Sequence, residues 1–207
     1  MRFRVVLGIT LIVLGAGALN AGAATVTLPR PGQVGIAVQG GYGSLIDAGG
    51  VGGEFGDGPT FAIRLRYRMR YERGIGLSFE TSKFSSRLQH PYDPAHPDST
   101  TFPDQLKVVL SGLDYYQFFG TRTTSVKMIS IGAGLAQQRV DLNSGETELS
   151  GTYSGDGLYL SGGVGVERFF YKSFALDLSA RYYAMFRDGK VGHNVQAAIG
   201  IIGYAGY

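Results

Sequence analysis

The chain has 207 residues, with 33 Gly, 13 Tyr, 12 Phe, no Cys, no Trp, a formal net charge of +3 and only 17% charged residues. Without Cys there is no disulfide scaffold, thiolate zinc site, iron–sulfur cluster or cysteine nucleophile. A hydrophobic content of 44% excludes the polar, highly charged profile of a disordered chain. The Gly excess shows no Gly-X-Y period and so needs another structural reason.

Residues 1–23 read as a cleavable Sec-type signal peptide. Arg2 and Arg4 precede an apolar run without charge, and Ala21-Gly22-Ala23 supplies a small-residue cleavage site. Removing Arg2 and Arg4 takes the net charge from +3 to +1, so the basicity supports no nucleic-acid surface. Residues 24–207 remain as one domain. No apolar run in it is long enough for a spanning helix, so any membrane contact is made by strands.

In chain order, residues 33–45 open the first of eight alternating segments. Residues 61–71 carry the clearest signal: Phe61, Ile63, Leu65, Tyr67, Met69 and Tyr71 share one face, and Ala62, Arg64, Arg66, Arg68 and Arg70 share the other. A period of two sustained over this length predicts a strand long enough to cross a tilted bilayer path. Similar patterns follow at 74–84, 105–119, 125–140, 157–171, 173–187 and 190–207. In the fourth, Leu113-Asp114-Tyr115-Tyr116 fits either register and allows a bulge.

Tight turns at 72–74, 120–124 and 171–173 alternate with long polar connections at 46–58, 85–104 and 141–156, and Asp188-Gly189 makes a short type I′ signal. A three-residue turn at 72–74 would set Tyr71 opposite Ile75, Tyr67 opposite Phe79 and Arg66 beside Glu80. The Asp188-Gly189 turn pairs Arg187 with Lys190 and Leu178 with Ile199. A turn at 171–173 sets Glu167 against Asp177, a like-charge contact that Arg from across the lumen must relieve.

The face opposite the apolar one carries Arg64, Arg66, Arg68, Arg70, Glu80, Glu167, Asp177 and Arg181, with Asp114 as a further acid. So many charges cannot surround a hydrophobic ligand, which argues against a soluble carrier. The expectation is an all-β, eight-stranded antiparallel up-and-down transmembrane β-barrel, with the apolar face on lipid and a charged, largely side-chain-filled lumen. Its lumen charges must neutralise one another. Tyr67, Tyr71, Phe119, Phe170, Phe174 and Tyr207 are expected to form an aromatic girdle at the short-turn side, together with neighbours in 115–119 and 169–171 and Tyr204. Gly35, Gly41, Gly43, Gly76, Gly132, Gly134, Gly163 and Gly165 fall mostly on the lumen face, where they would leave volume for Arg and Tyr.

The chain resembles the small bacterial outer-membrane β-barrel superfamily, of the OmpX type and similar to the transmembrane half of OmpA. The likeness rests on the signal peptide, the strand count, the loop alternation and the ending Gly203-Tyr204-Ala205-Gly206-Tyr207. It implies export to the cell outer membrane, assembly by the barrel-assembly machinery, and contact with the bilayer and lipopolysaccharide. It implies no cofactor.

Catalysis is not expected. His193 is followed by Asn194 and Val195, without the His-x-Ser arrangement of outer-membrane lipid A deacylases. His90, Asp93, His96 and Asp98 match no metal-ligand spacing rule, and the Gly-rich stretch at 49–53 lacks a phosphate-loop Lys. The expected role is a structural anchor or surface-interaction protein acting through its extracellular loops. The alternatives are a narrow porin-like channel and a lipid A-modifying enzyme.

Overall fold

The computed structural model describes residues 26–46, 55–86, 105–141, 155–187 and 190–205. Eight strands follow one another: β1 (Val34–Leu45), β2 (Asp57–Arg70), β3 (Arg73–Ser85), β4 (Gln105–Phe119), β5 (Ser125–Asp141), β6 (Gly155–Tyr171), β7 (Phe174–Arg187) and β8 (Lys190–Ala205). Each pairs antiparallel with the next, and β1 pairs antiparallel with β8, closing the barrel. Closure leaves no unpaired edge. The signal peptide, Asp188-Gly189, Tyr207, the 49–53 stretch and the His90 to Asp98 loop lie outside the described residues.

The alternation of side chains produces an inverted distribution. Along β2, Phe61, Ile63 and Tyr67 are exposed while Arg64, Arg66 and Arg68 are buried; Arg66 is 0% exposed. The same holds on β4, where Leu113 is 65% exposed and Asp114 only 3%. In water this would strand apolar surface; with lipid outside, it is the expected polarity. The core is the lumen itself.

Register differs from the sequence reading at one hairpin. β2 and β3 pair Tyr67 with Ile75, Arg66 with Gly76 and Ala62 with Glu80, with a bulge between Arg68 and Arg70. Only Tyr71 and Glu72 form the turn, and Gly74 is not in it. A Cβ on Gly74 would come within 3.1 Å of the Phe118 ring, so this Gly makes room for an aromatic inside the barrel. The pairing therefore moves by four residues relative to the expected one. An even shift keeps every side chain on its face, so the faces survive although the partners change.

The β7–β8 register pairs Arg187 with Lys190 and Leu178 with Ile199. β6 and β7 pair Glu167 with Asp177, and a bulge between Phe169 and Tyr171 leads into a turn of Lys172 and Ser173. Lys172 has φ +42°, a left-handed conformation uncommon for a side chain of this size. β4 keeps unbroken register with both neighbours, which settles the ambiguity at residues 113–116: Asp114 and Tyr116 point inward.

Candidate functional site

Inside the barrel the side chains form three levels. Nearest the long loops, Leu45, Phe55, Phe84, Leu106, Val108, Leu110, Ala136, Val140, Tyr159, Tyr183 and Met185 pack as an apolar layer. Nearest the short turns, Tyr116, Phe118, Val126, Met128, Phe169, Ala175, Ile202, Tyr204 and Ala37 form a second, aromatic-rich layer. An ionic belt lies between them.

The belt contains four guanidinium groups, of Arg64, Arg66, Arg68 and Arg181, and four carboxylates, of Glu80, Asp114, Glu167 and Asp177, all buried. Arg64 donates from Nη2 to Glu80 at 2.8 Å and from Nη1 to the side chains of Gln39 and Ser179. Arg66 bridges the facing acids of β6 and β7, with Nη1 2.8 Å from Glu167 Oε1 and Nη2 2.7 Å from Asp177 Oδ2. Arg68 donates to Glu167 Oε2 at 2.6 Å. Arg181 grips both oxygens of Asp114, at 3.0 and 3.1 Å.

Three tyrosines tie the belt to its neighbours. The Tyr183 hydroxyl donates to Glu80 at 2.7 Å, Tyr204 to Glu167 at 2.7 Å, and Tyr116 to Asp114 at 2.8 Å. Each ring lies in an apolar layer while its hydroxyl reaches the belt, so the phenol serves both environments. Arg68 also stacks over the Phe118 ring, its Cζ 3.3 Å from the centroid, a cation–π contact strengthened by desolvation. Asp177 is held least well. Neither of its oxygens receives a well-directed hydrogen bond despite the close Arg66 nitrogen.

Glycine provides the space for these groups. A Cβ on Gly132 would fall 2.2 Å from Asp114 Oδ1, and one on Gly163 would fall 2.6 Å from Arg181 Cγ. The Arg181–Asp114 pair thus occupies volume that any other residue would fill.

Among the expected lumen residues, Arg70 is misplaced. The bulge after Arg68 breaks the alternation, and Arg70 is exposed at the strand end, paired with Arg73. Among the girdle residues, Tyr67, Tyr71, Phe119, Phe170 and Phe174 are exposed on the outer wall at the short-turn side. Tyr116, Phe118, Phe169 and Tyr204 are instead buried in the lumen, because each sits at the inward position of its strand's alternation. Tyr183 was legible in the same way, two residues from Arg181. The apolar layer near the long loops was missed, since Leu106, Val108 and Leu110 carry no charge to mark their face as inward.

The segment before β1 lies against the short-turn end of the barrel. Thr27 N donates to Lys172 O at 2.9 Å, and Gly32 N donates to Arg68 O at 2.7 Å, while Val26 and Leu28 pack on the aromatic layer.

No protein-family model matches the chain, and no curated protein matches it. Solved structures do. Neisserial surface protein A (NspA) superposes with TM-score 0.59 at 14% identity, over 83% of this chain and 98% of that one. Ail, the attachment invasion locus protein of Yersinia pestis, gives 0.54 at 14%, over 85% and 100%. The fold is that of the small outer-membrane barrels. The outer membrane protein OprG from Pseudomonas aeruginosa, at TM-score 0.53 and 12% identity over 88% and 100%, is a third example. In this barrel the exposed apolar residues form the outer wall, and the buried ions lie in the lumen.

Proposed function

We propose that this barrel acts as an outer-membrane anchor that holds its long connections at the cell surface as the contact surface for other molecules. The observation carrying this reading is the filled lumen. Arg66, Glu167 and Asp177 are fully buried, which an open aqueous channel running past them would not allow. Eight strands enclose an interior about wide enough for side chains alone, and here two apolar layers cap the ionic belt above and below. The likeness to Ail, named for attachment and invasion, favours a surface role over a conducting one.

The reading assigns no chemistry to the wall of the barrel. His193 Nδ1 lies 2.5 Å from the Tyr182 hydroxyl, and Ser44, on the same face, donates instead to Asp57 at 2.6 Å. Lipid A mass spectra should therefore be the same with and without expression. The deciding experiment is single-channel recording of the refolded protein in planar bilayers. A silent, heat-modifiable barrel supports the anchor reading; steady conductance steps that change when Arg66 is replaced would overturn it in favour of the narrow channel.

A further inference from the structure

The outer wall carries a cluster of cations that the lumen network does not use. The β3–β4 register places Lys83 opposite Lys107, and the β4–β5 register places Lys107 opposite Arg139. All three are exposed and share the outward face of three successive strands. With strands about 4.8 Å apart, the row spans about 10 Å. Like charges set directly opposite one another repel. Among the described residues no carboxylate forms an ion pair with any of the three; the exposed Asp156 lies one strand further on, opposite Gln137.

Position along the strands tells what the row faces. On β5 the outward Ile129, Ile131 and Leu135 are exposed between Lys127 and Arg139. At about 3.4 Å per residue and a tilt of about 40°, the two cations stand roughly 30 Å apart along the barrel axis, the thickness of a hydrocarbon core. On β3, Arg73 and Lys83 bracket Ile75, Leu77 and Phe79 in the same manner. The three cations therefore stand just beyond the hydrocarbon on the long-loop side, above Thr81, Val109 and Gln137, at headgroup level. Among the described residues, the outward positions at this level of the opposite wall hold Tyr42 and Ser44 on β1, Phe186 on β7, and Val191 and His193 on β8, while the cations there, Arg187 and Lys190, pair at inward positions of the alternation.

We propose that Lys83, Lys107 and Arg139 form a binding site for the phosphate groups of a phosphorylated lipid in the outer leaflet. The inference rests on the outer-membrane reading above and gives the lipid contact its residues and its side of the barrel. Long aliphatic stems let the two Lys and the Arg keep contact with the wall while their charged ends gather around one headgroup, and a guanidinium can grip phosphate oxygens in pairs. The anion removes the cross-strand repulsion. The fixed cations also do locally what mobile cations do between neighbouring phosphates, so a lipid would be retained on this side of the barrel alone.

The test uses the refolded barrel in phosphatidylcholine nanodiscs, with retention of added bisphosphorylated lipid A measured by native mass spectrometry. Wild type should retain it in preference to dephosphorylated lipid A. Each cation removed should weaken retention about fivefold, and K83Q/K107Q/R139Q about a hundredfold. The charge-preserving K83R/K107R variant should bind like wild type, as should K127Q/R168Q at the other rim. Equal retention of both lipids, or full retention by the triple variant, would overturn the proposal. Millimolar inorganic phosphate should leave lipid bound; if it displaces the lipid, the site belongs to free phosphate and the lipid assignment fails. A folded wild type without phosphate selectivity overturns this inference alone, whereas a wild type with no heat-modifiable folded form overturns the outer-membrane reading with it.

Discussion

The ionic belt and the apolar layer above it are equally buried, yet they fill the same barrel by opposite means. Leu106, Val108 and Leu110 contribute through area and shape and need no particular partner. Arg66 and Glu167 contribute only as partners, because a buried charge without a counter-ion costs several kcal/mol. A loss in the apolar layer should therefore scale with the volume removed, and a loss in the belt with the number of partners left behind.

The largest effect is expected at Glu167, which receives Arg66, Arg68 and Tyr204 at once. Glu167→Gln should lower stability by about 4 kcal/mol, read as a reduced unfolding midpoint in urea with detergent or lipid present. Leu110→Ala should cost about 3 kcal/mol in the same assay; a loss as large as that at Glu167 would blur the contrast. Asp177→Asn should cost less, about 1–2 kcal/mol, because Asp177 has one poorly directed partner. If it equals Glu167→Gln, partner number is not what governs the belt.

Gly132→Ala asks whether the belt can yield. The added methyl would meet Asp114 Oδ1, so a loss of about 1–2 kcal/mol is expected from overpacking. The smallest effect belongs to Arg70→Ala. Exposed beyond the bulge, it should change the midpoint by less than about 0.5 kcal/mol, although its place in the sequence alternation matches Arg66 and Arg68. A loss comparable to that of a lumen Arg would restore Arg70 to the network.

Arg70 also marks where sequence reading stops. Alternation in 61–71 puts five residues on one face, and the structure keeps Ala62, Arg64, Arg66 and Arg68 there; the bulge that releases Arg70 depends on how β2 meets β3. Glu80 belonged recognisably to the lumen, but its partner is Arg64 rather than the neighbouring Arg66, after a register shift of four residues. The aromatics divide in the same way. Tyr115 and Tyr116 are adjacent in sequence, and only the unbroken pairing of β4 with β3 and β5 sends the first outward and the second to Asp114.

From sequence alone follow the eight strands, their antiparallel succession and, for most residues, the face on which each side chain lies. These are local properties, since a period of two is set by the backbone of each strand. The tertiary structure alone decides which charge meets which, that Leu106, Val108 and Leu110 close the lumen on the long-loop side, and that Lys83, Lys107 and Arg139 stand in one row. Those depend on register and closure, where one bulge or one turn residue moves every partner along the strand while leaving the faces unchanged.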